Sequence, residues 1–158
     1  MWLLYAVILG AILLDRISKI IVISFMNLFE SITIIPKVLN FTYVRNTGAA
    51  FSMFSNSNLL LGIVAVVVVI AALFFLHFKK QSNKYLLVYS GMIIGGAIGN
   101  VIDRFYYNYV IDFIDVQFME FAVFNIADCF IVVGCILLAG WIMLTDSKNG
   151  EVRLDDRD

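Results

Sequence analysis

FNIADCFIVVGC, residues 124–135, places an aspartate, Asp128, at the head of an otherwise apolar run. The run continues from Ile126 to Leu144, and about 18 or more consecutive apolar residues suffice to cross a bilayer as a helix. The aspartate therefore stands about one turn inside a span built for lipid. Ionisable groups in such a place are costly, which makes function the first question to ask of this one. As a duller alternative, it is an interfacial aspartate at a helix start.

Working outward, three further stretches have the length and apolarity of spans, at about residues 2–29, 59–78 and 85–102. The first is interrupted by DRISK, Asp15 to Lys19, and its start lacks the basic region of a cleavable signal peptide, so it reads as a retained span. Residues 1–158 are expected to form a single integral membrane domain, all-α, with four transmembrane helices. The composition agrees: 62% of residues are hydrophobic, 15% are charged and one is proline. Mean hydropathy is +0.95, well above that of an ordinary soluble domain. A net charge of −1 without a long basic tract argues against nucleic acid as a partner.

Orientation follows from the basic residues of short loops. Lys79, Lys80 and Lys84 crowd KKQSNK, whereas Lys37, Arg45 and Arg104 are scattered among aromatics. The positive-inside rule then puts KKQSNK and both termini in the cytoplasm, with residues 145–158 as a short solvated tail. The two longer loops face outward. In the first, Leu39, Phe41 and Tyr43 alternate with Asn40 and Thr42, the periodicity of a strand with one greasy face, so a small extracytoplasmic β-sheet is expected on the membrane surface. That face, with GAAF (Gly48 to Phe51) after it, is a candidate surface for holding a substrate. The second loop, residues 104–125, is rich in Tyr and Phe of the kind that settle at lipid headgroups.

Elimination narrows the chemistry. Gly91, Gly95 and Gly99 recur every four residues and read as a helix-packing stripe, because the lysine of a phosphate loop is missing. Cys129 and Cys135 are six residues apart on one helix and out of phase. The one histidine, His77, lies at the cytoplasmic end of the second span, so no cysteine or serine has a base beside it. Zinc sites want several His or Cys ligands. What remains at the outer end is carboxylate: Asp103, Asp112, Asp115 and Asp128, with Glu120 nearby.

Two carboxylates held together share a proton, one accepting a proton from water while the other donates to a carbonyl oxygen. This is aspartic peptidase chemistry, and it requires no metal or cofactor. Asp103, Asp112 and Asp115 are all open as the partner of Asp128. If VIDFIDV is extended, Asp112 and Asp115 point to opposite faces and at most one of them meets Asp128. A different class fits the same inventory: a small four-span transport or scaffold protein whose outer carboxylates Asp112, Asp115 and Asp128 bind cations or relay protons.

The ordered set DRISK (15–19), RNTGAAFS (45–52), GNVIDR (99–104), VIDFI (110–114) and FNIAD (124–128) closely resembles the bacterial lipoprotein signal peptidases, or type II signal peptidases. The resemblance runs over nearly the whole chain outside the tail. It implies a membrane aspartic peptidase of the bacterial cytoplasmic membrane, with its active site at the extracytoplasmic face. Such an enzyme removes signal peptides from prolipoproteins by cutting just before a diacylglyceryl-modified cysteine. Carried over by position, Asp112 and Asp128 are the catalytic pair. Asn46, Gly48, Asn100, Arg104 and Asn125 bind substrate or support the site, while Asp15, Lys19 and Asp103 support the structure. Asn125 could instead cap the fourth helix, and Asp103 could pair locally with Arg104. The implied partners are diacylglyceryl-modified prolipoproteins and membrane lipid, with the enzyme a monomer and no cofactor or metal. The chain departs from the family pattern at Ala122, where proline is common, and at Asn108, where glycine is common. Asparagine tolerates a left-handed backbone, so the turn at 108 is expected to survive.

Overall fold

The computed structural model describes residues 1–48 and 58–155. In chain order its elements are α1 (Trp2–Phe25), β1 (Ser31–Ile35), β2 (Leu39–Asn46), α2 (Asn58–Phe78), α3 (Lys84–Tyr107), β3 (Val110–Val116) and α4 (Ile126–Asp155). The architecture is mostly helical, with one small antiparallel sheet in the order β1-β2-β3. Connectivity places the sheet at the C-terminal ends of α1 and α3 and the N-terminal ends of α2 and α4. KKQSNK, between α2 and α3, lies at the opposite end of the bundle.

Among the described residues, α2, α3 and the Ile126–Thr145 part of α4 are long and apolar enough to cross a membrane. Of the four expected spans, composition supports these three. α1 has the length, at 24 residues, but carries Asp15, Arg16 and Lys19. Three boundaries also differ from expectation, the first being α1, which ends at Phe25 where a span to residue 29 was expected. α3 runs on to Tyr107 and places Asp103 and Arg104 on a helix, because the Asp103 charge is paired inside the bundle. The backbone of α4 stays helical to Asp155, well into the residues read as a tail.

The helices are nearly inside-out relative to a soluble bundle: Leu59, Val67, Ile70, Phe74, Val132 and Ile136 are among many large apolar side chains left exposed. Close backbone approach, more than apolar burial, holds such helices together. The glycine stripe of α3 faces α1. A Cβ added at Gly95 would fall 2.7 Å from the Ala11 side chain and 2.9 Å from the Ile8 carbonyl oxygen. At Gly99 it would fall 2.6 Å from Asp15 Oδ2, so the missing side chain is what admits the Asp15 carboxylate against α3.

α3 ends at Asn108, whose φ of 61° and ψ of 17° lie in the left-handed region, as the asparagine-for-glycine exchange anticipates. The Asn58 side-chain amide donates to the Asn108 carbonyl. From there the chain turns into β3, which pairs with β2 so that Val44 lies opposite Asp112 and Asn46 opposite Val110.

The greasy face of β2 is largely committed to the core. Tyr43 is buried with Val22 and Met26 of α1 and Ile111 and Phe113 of β3, Phe41 packs against that cluster, and the Phe41 and Phe113 rings meet edge-on at 5.6 Å. It anchors the sheet to α1, which corrects its reading as a substrate-holding surface. Of the GAAF segment, Ala49 to Phe51 lie outside the described residues.

Candidate active site

Three segments converge on Asn125. β3 carries Asp112, which is 1% exposed. After residues 117–123 the chain returns to β3, where the Phe124 carbonyl accepts from the amides of Phe113 and Ile114 and the Phe124 amide donates to the Ile114 carbonyl. That short antiparallel bridge sets Asn125 beside Asp112 just before α4 begins. The Asn125 side-chain oxygen accepts from the Asp128 amide at 3.0 Å, while the Asn125 amide donates to Asp128 Oδ2 at 3.2 Å. This is a reciprocal cap that satisfies N–H groups at the start of α4.

The other end of the same side chain faces the opposite way. Asn125 Nδ2 donates to Asp112 Oδ1 at 2.6 Å and to Asn100 Oδ1 at 3.1 Å. The two ends of the Asn125 amide thus have separate partners: its oxygen caps α4, and its NH2 meets Asp112 and Asn100. Asn46 Nδ2, on β2, donates to Asp112 Oδ2 at 2.9 Å, and its Oδ1 accepts from the Gly48 amide at 3.0 Å. Asn100 Nδ2, on α3, donates to Asp128 Oδ1 at 2.7 Å. Burial first, and then the nearby Asp128 carboxylate, push Asp112 up to about 6. The Asn46 and Asn125 hydrogen bonds and the charge of Lys19 oppose that rise.

A cavity of about 520 Å³ opens over the two carboxylates, with Asn46, Gly48, Asn100, Arg104, Asp112 and Asp128 as its polar lining. Phe121 to Phe124, Cys129, Val132 and Val133 supply an apolar wall. Arg104 Nη1 reaches the Asn100 carbonyl at 3.4 Å, and its buried Nε has no hydrogen-bond partner among the described residues.

Beneath the cavity lies a charge-balanced cluster. Lys19 Nζ is 3.0 Å from Asp15 Oδ2 and 2.7 Å from Asp103 Oδ2, and Arg16 Nη2 is 2.5 Å from Asp103 Oδ1. Asp103 thus pairs across the bundle, in place of the local pair with Arg104. It also accepts the Ile111 amide at 3.2 Å, and Asp15 Oδ1 accepts the Ala127 amide at 3.1 Å. The start of β3 and the start of α4 are tied to the same two carboxylates. Arg16 and Asn58 were not singled out by the sequence reading; a charge beside Asp15 in an apolar stretch was the available signal for the first.

Asp115 sits on the other face of β3, where its Oδ2 accepts from Thr42 Oγ1 at 2.7 Å. A three-carboxylate cation site with Asp112 and Asp128 is therefore not assembled. Cys129 and Cys135 are free thiols.

Membrane-length helices capped by a small sheet, with two aspartates from different elements facing one cavity, define a small helical membrane protein with a paired-carboxylate centre. The family model for signal peptidase (SPase) II matches residues 7–144. The lipoprotein signal peptidase of Halothermothrix orenii is 43% identical over 134 residues, covering 85% of this chain and 90% of that one. That of Streptococcus thermophilus is 40% identical over 143 residues, covering 90% and 92%. A solved structure described as a bacterial membrane enzyme, determined by the in meso method, superposes with a TM-score of 0.85 at 32% identity, covering 92% of this chain and 90% of that one. The chain belongs to the signal peptidase II family and is a bacterial membrane peptidase.

Proposed function

We propose that this chain is an aspartic endopeptidase that removes signal peptides from bacterial prolipoproteins, hydrolysing the bond just before a diacylglyceryl-modified cysteine. The observation that carries the reading is the single amide of Asn125, which binds the Asp112 carboxylate with one end and caps the helix of Asp128 with the other. In this reading Asp128 is the ionised member and Asp112 holds the shared proton, favoured by its burial. Asp128 takes a proton from a water in the cavity, and that water's oxygen attacks the scissile carbonyl carbon. The Asp112 proton passes to the carbonyl oxygen. Collapse of the tetrahedral intermediate breaks the C–N bond, returns a proton to Asp112 and delivers one to the leaving amine. Asn46, Gly48 and Arg104 hold the peptide, and Asn100 and Asn125 hold the carboxylates.

α1 completes a bundle of four spans, its charges hidden by the pairing described above, so residues 1–158 act as one integral membrane domain and as a monomer. KKQSNK and both termini are cytoplasmic, and the sheet end with its cavity is extracytoplasmic. The scissile bond then lies at the outer interface, held at that depth by the lipid on the substrate cysteine. Purified protein incubated with a diacylglyceryl-modified prolipoprotein, with and without a chelator, should yield the shortened product in both cases. Loss of cleavage on chelation would replace the proton-sharing mechanism with a metal-assisted one.

A further inference from the structure

Lys19 is 1% exposed and lies one layer below the cavity, outside its lining. An ammonium has three donors and no acceptor. Here two donors go to Asp15 and Asp103, at 3.0 and 2.7 Å, and the third goes to Asn100 Oδ1 at 3.0 Å. The Asn100 amide has two chemically different ends, and only its oxygen can face a group that does nothing but donate. Its NH2 is thereby turned toward Asp128, where it donates at 2.7 Å. Asn125 Nδ2, also a donor, faces the same Asn100 oxygen at 3.1 Å and enforces the same orientation. Asn125 is itself oriented by a backbone N–H at the start of α4, which can only donate.

We propose that Lys19 is a positioning residue for catalysis, which through the Asn100 amide aims an N–H at Asp128 and so keeps that carboxylate ionised and in place as the base. The inference rests on the aspartic-dyad reading above and deepens it, since it assigns the acid and base roles to a chain of donors beginning outside the cavity. Charged groups acting on Asp128 are Asp15 and Lys19 from α1, Arg104 from α3 and Asp112 from β3, with the Cys129 thiol on its own helix.

The test is a pH–kcat profile with lipidated prolipoprotein. Asp15→Asn/Lys19→Met removes one charge of each sign and leaves the cluster balanced, so it is compared with Asp15→Asn alone. The double exchange should lower kcat roughly 10- to 100-fold, the scale seen when a group that orients a metal ligand is lost, with KM changed little. The acidic limb of the profile should move up by about one pH unit, the scale of a lost charge-assisted hydrogen bond. In an Asn100→Ala background the same exchange should move the limb no further. An equal shift there would show that Lys19 acts by bare charge and would overturn the relay.

Asn100→Leu provides a second route if the double variant fails to insert. It is of similar size, adds no charge beside Asp128 and removes the N–H that Asp128 accepts, so it should reproduce the upward shift. An unmoved acidic limb in Asn100→Leu would sink the proposal. Asp128→Asn is assayed alongside: turnover there would remove the dyad itself, whereas its inactivity with unmoved limbs elsewhere would remove only the role of Lys19.

Discussion

Asp112 and Asp115 are three residues apart on one strand and do different things. Asp112 faces Asn46 and Asn125 inside the cavity, and Asp115 accepts a hydrogen bond from Thr42 on the other side. Asp112→Asn and Asp128→Asn should each cut turnover more than roughly 1,000-fold, since either exchange removes a partner in proton transfer worth about two to four orders of magnitude and unbalances the other. Asp115→Asn should keep substantial activity in the same assay of the released signal peptide. The Asp112 carboxyl also sets a pH dependence. Its value of about 6 lies above the ordinary 3.8, so the folded state binds the proton more tightly than the unfolded state does. Stability should accordingly fall as pH rises from about 4 through 6, by on the order of 3 kcal/mol once ionisation is complete. Melting curves in detergent would show that slope, and Asp112→Asn should flatten it. If the protonated form of Asp112 is the acid, kcat/KM should fall about tenfold per pH unit above about 6. A flat profile to pH 8 would remove Asp112 from that role.

At the level of elements, the fold depends on how closely α1, α3 and α4 approach. Gly95 of α3 meets the Ala11 side chain and the Ile8 backbone, and neither can retreat like the end of a long side chain. Gly95→Leu should cost about 1–3 kcal/mol or more by overpacking. Activity should fall with it, because the same helix carries Asn100 and Arg104. Gly10→Ala is the matched control: an added Cβ there has nothing within 4 Å, so stability should hold or rise by roughly 0.5–1 kcal/mol from the helix preference of alanine. Comparing the two melting temperatures separates loss of packing from a general dislike of bulk in the helices. Asn108 shows the same economy at a helix end, since its left-handed backbone lets α3 stop and β3 start within three residues.

For the whole molecule, the proposed orientation puts Ser82 and Ser31 on opposite sides of the membrane, and both are exposed. With Cys129 and Cys135 replaced by alanine, a single cysteine at Ser31 should react with an impermeant thiol reagent in intact cells, and one at Ser82 only after lysis. Labelling at Ser82 before lysis would invert the topology and move the cavity to the cytoplasmic face. The lipid on the substrate should matter to the rate as well as to binding. Each buried methylene adds roughly 0.8 kcal/mol of partitioning, so a diacylglyceryl group holds its cysteine at a set depth. An unmodified prolipoprotein, if misplaced in depth, should be cut far more slowly even at saturation. Equal rates would point to a general intramembrane peptidase.

Composition and periodicity, read along the chain, determined the membrane class, the glycine stripe, the strand character of residues 39–43 and the opposite facing of Asp112 and Asp115. They also bounded the chemistry, because a chain with one histidine and two distant-phase cysteines has only its carboxylates to offer. All of these depend on neighbours within a turn or a few strand positions. The family resemblance named Asp112 and Asp128, but only tertiary structure brings them to one cavity, and it alone decided that Asp103 pairs with Lys19 and Arg16, that the greasy face of β2 is spent on α1, and which way each asparagine amide points. Those outcomes depend on contacts such as Lys19 with Asn100, 81 residues away, and Asp15 with the Ala127 amide, 112 residues away. No local pattern encodes them. An amide or a carboxylate takes its orientation from whichever donors the folded chain brings to it, and those donors arrive from five separate elements, α1, β2, α3, β3 and α4.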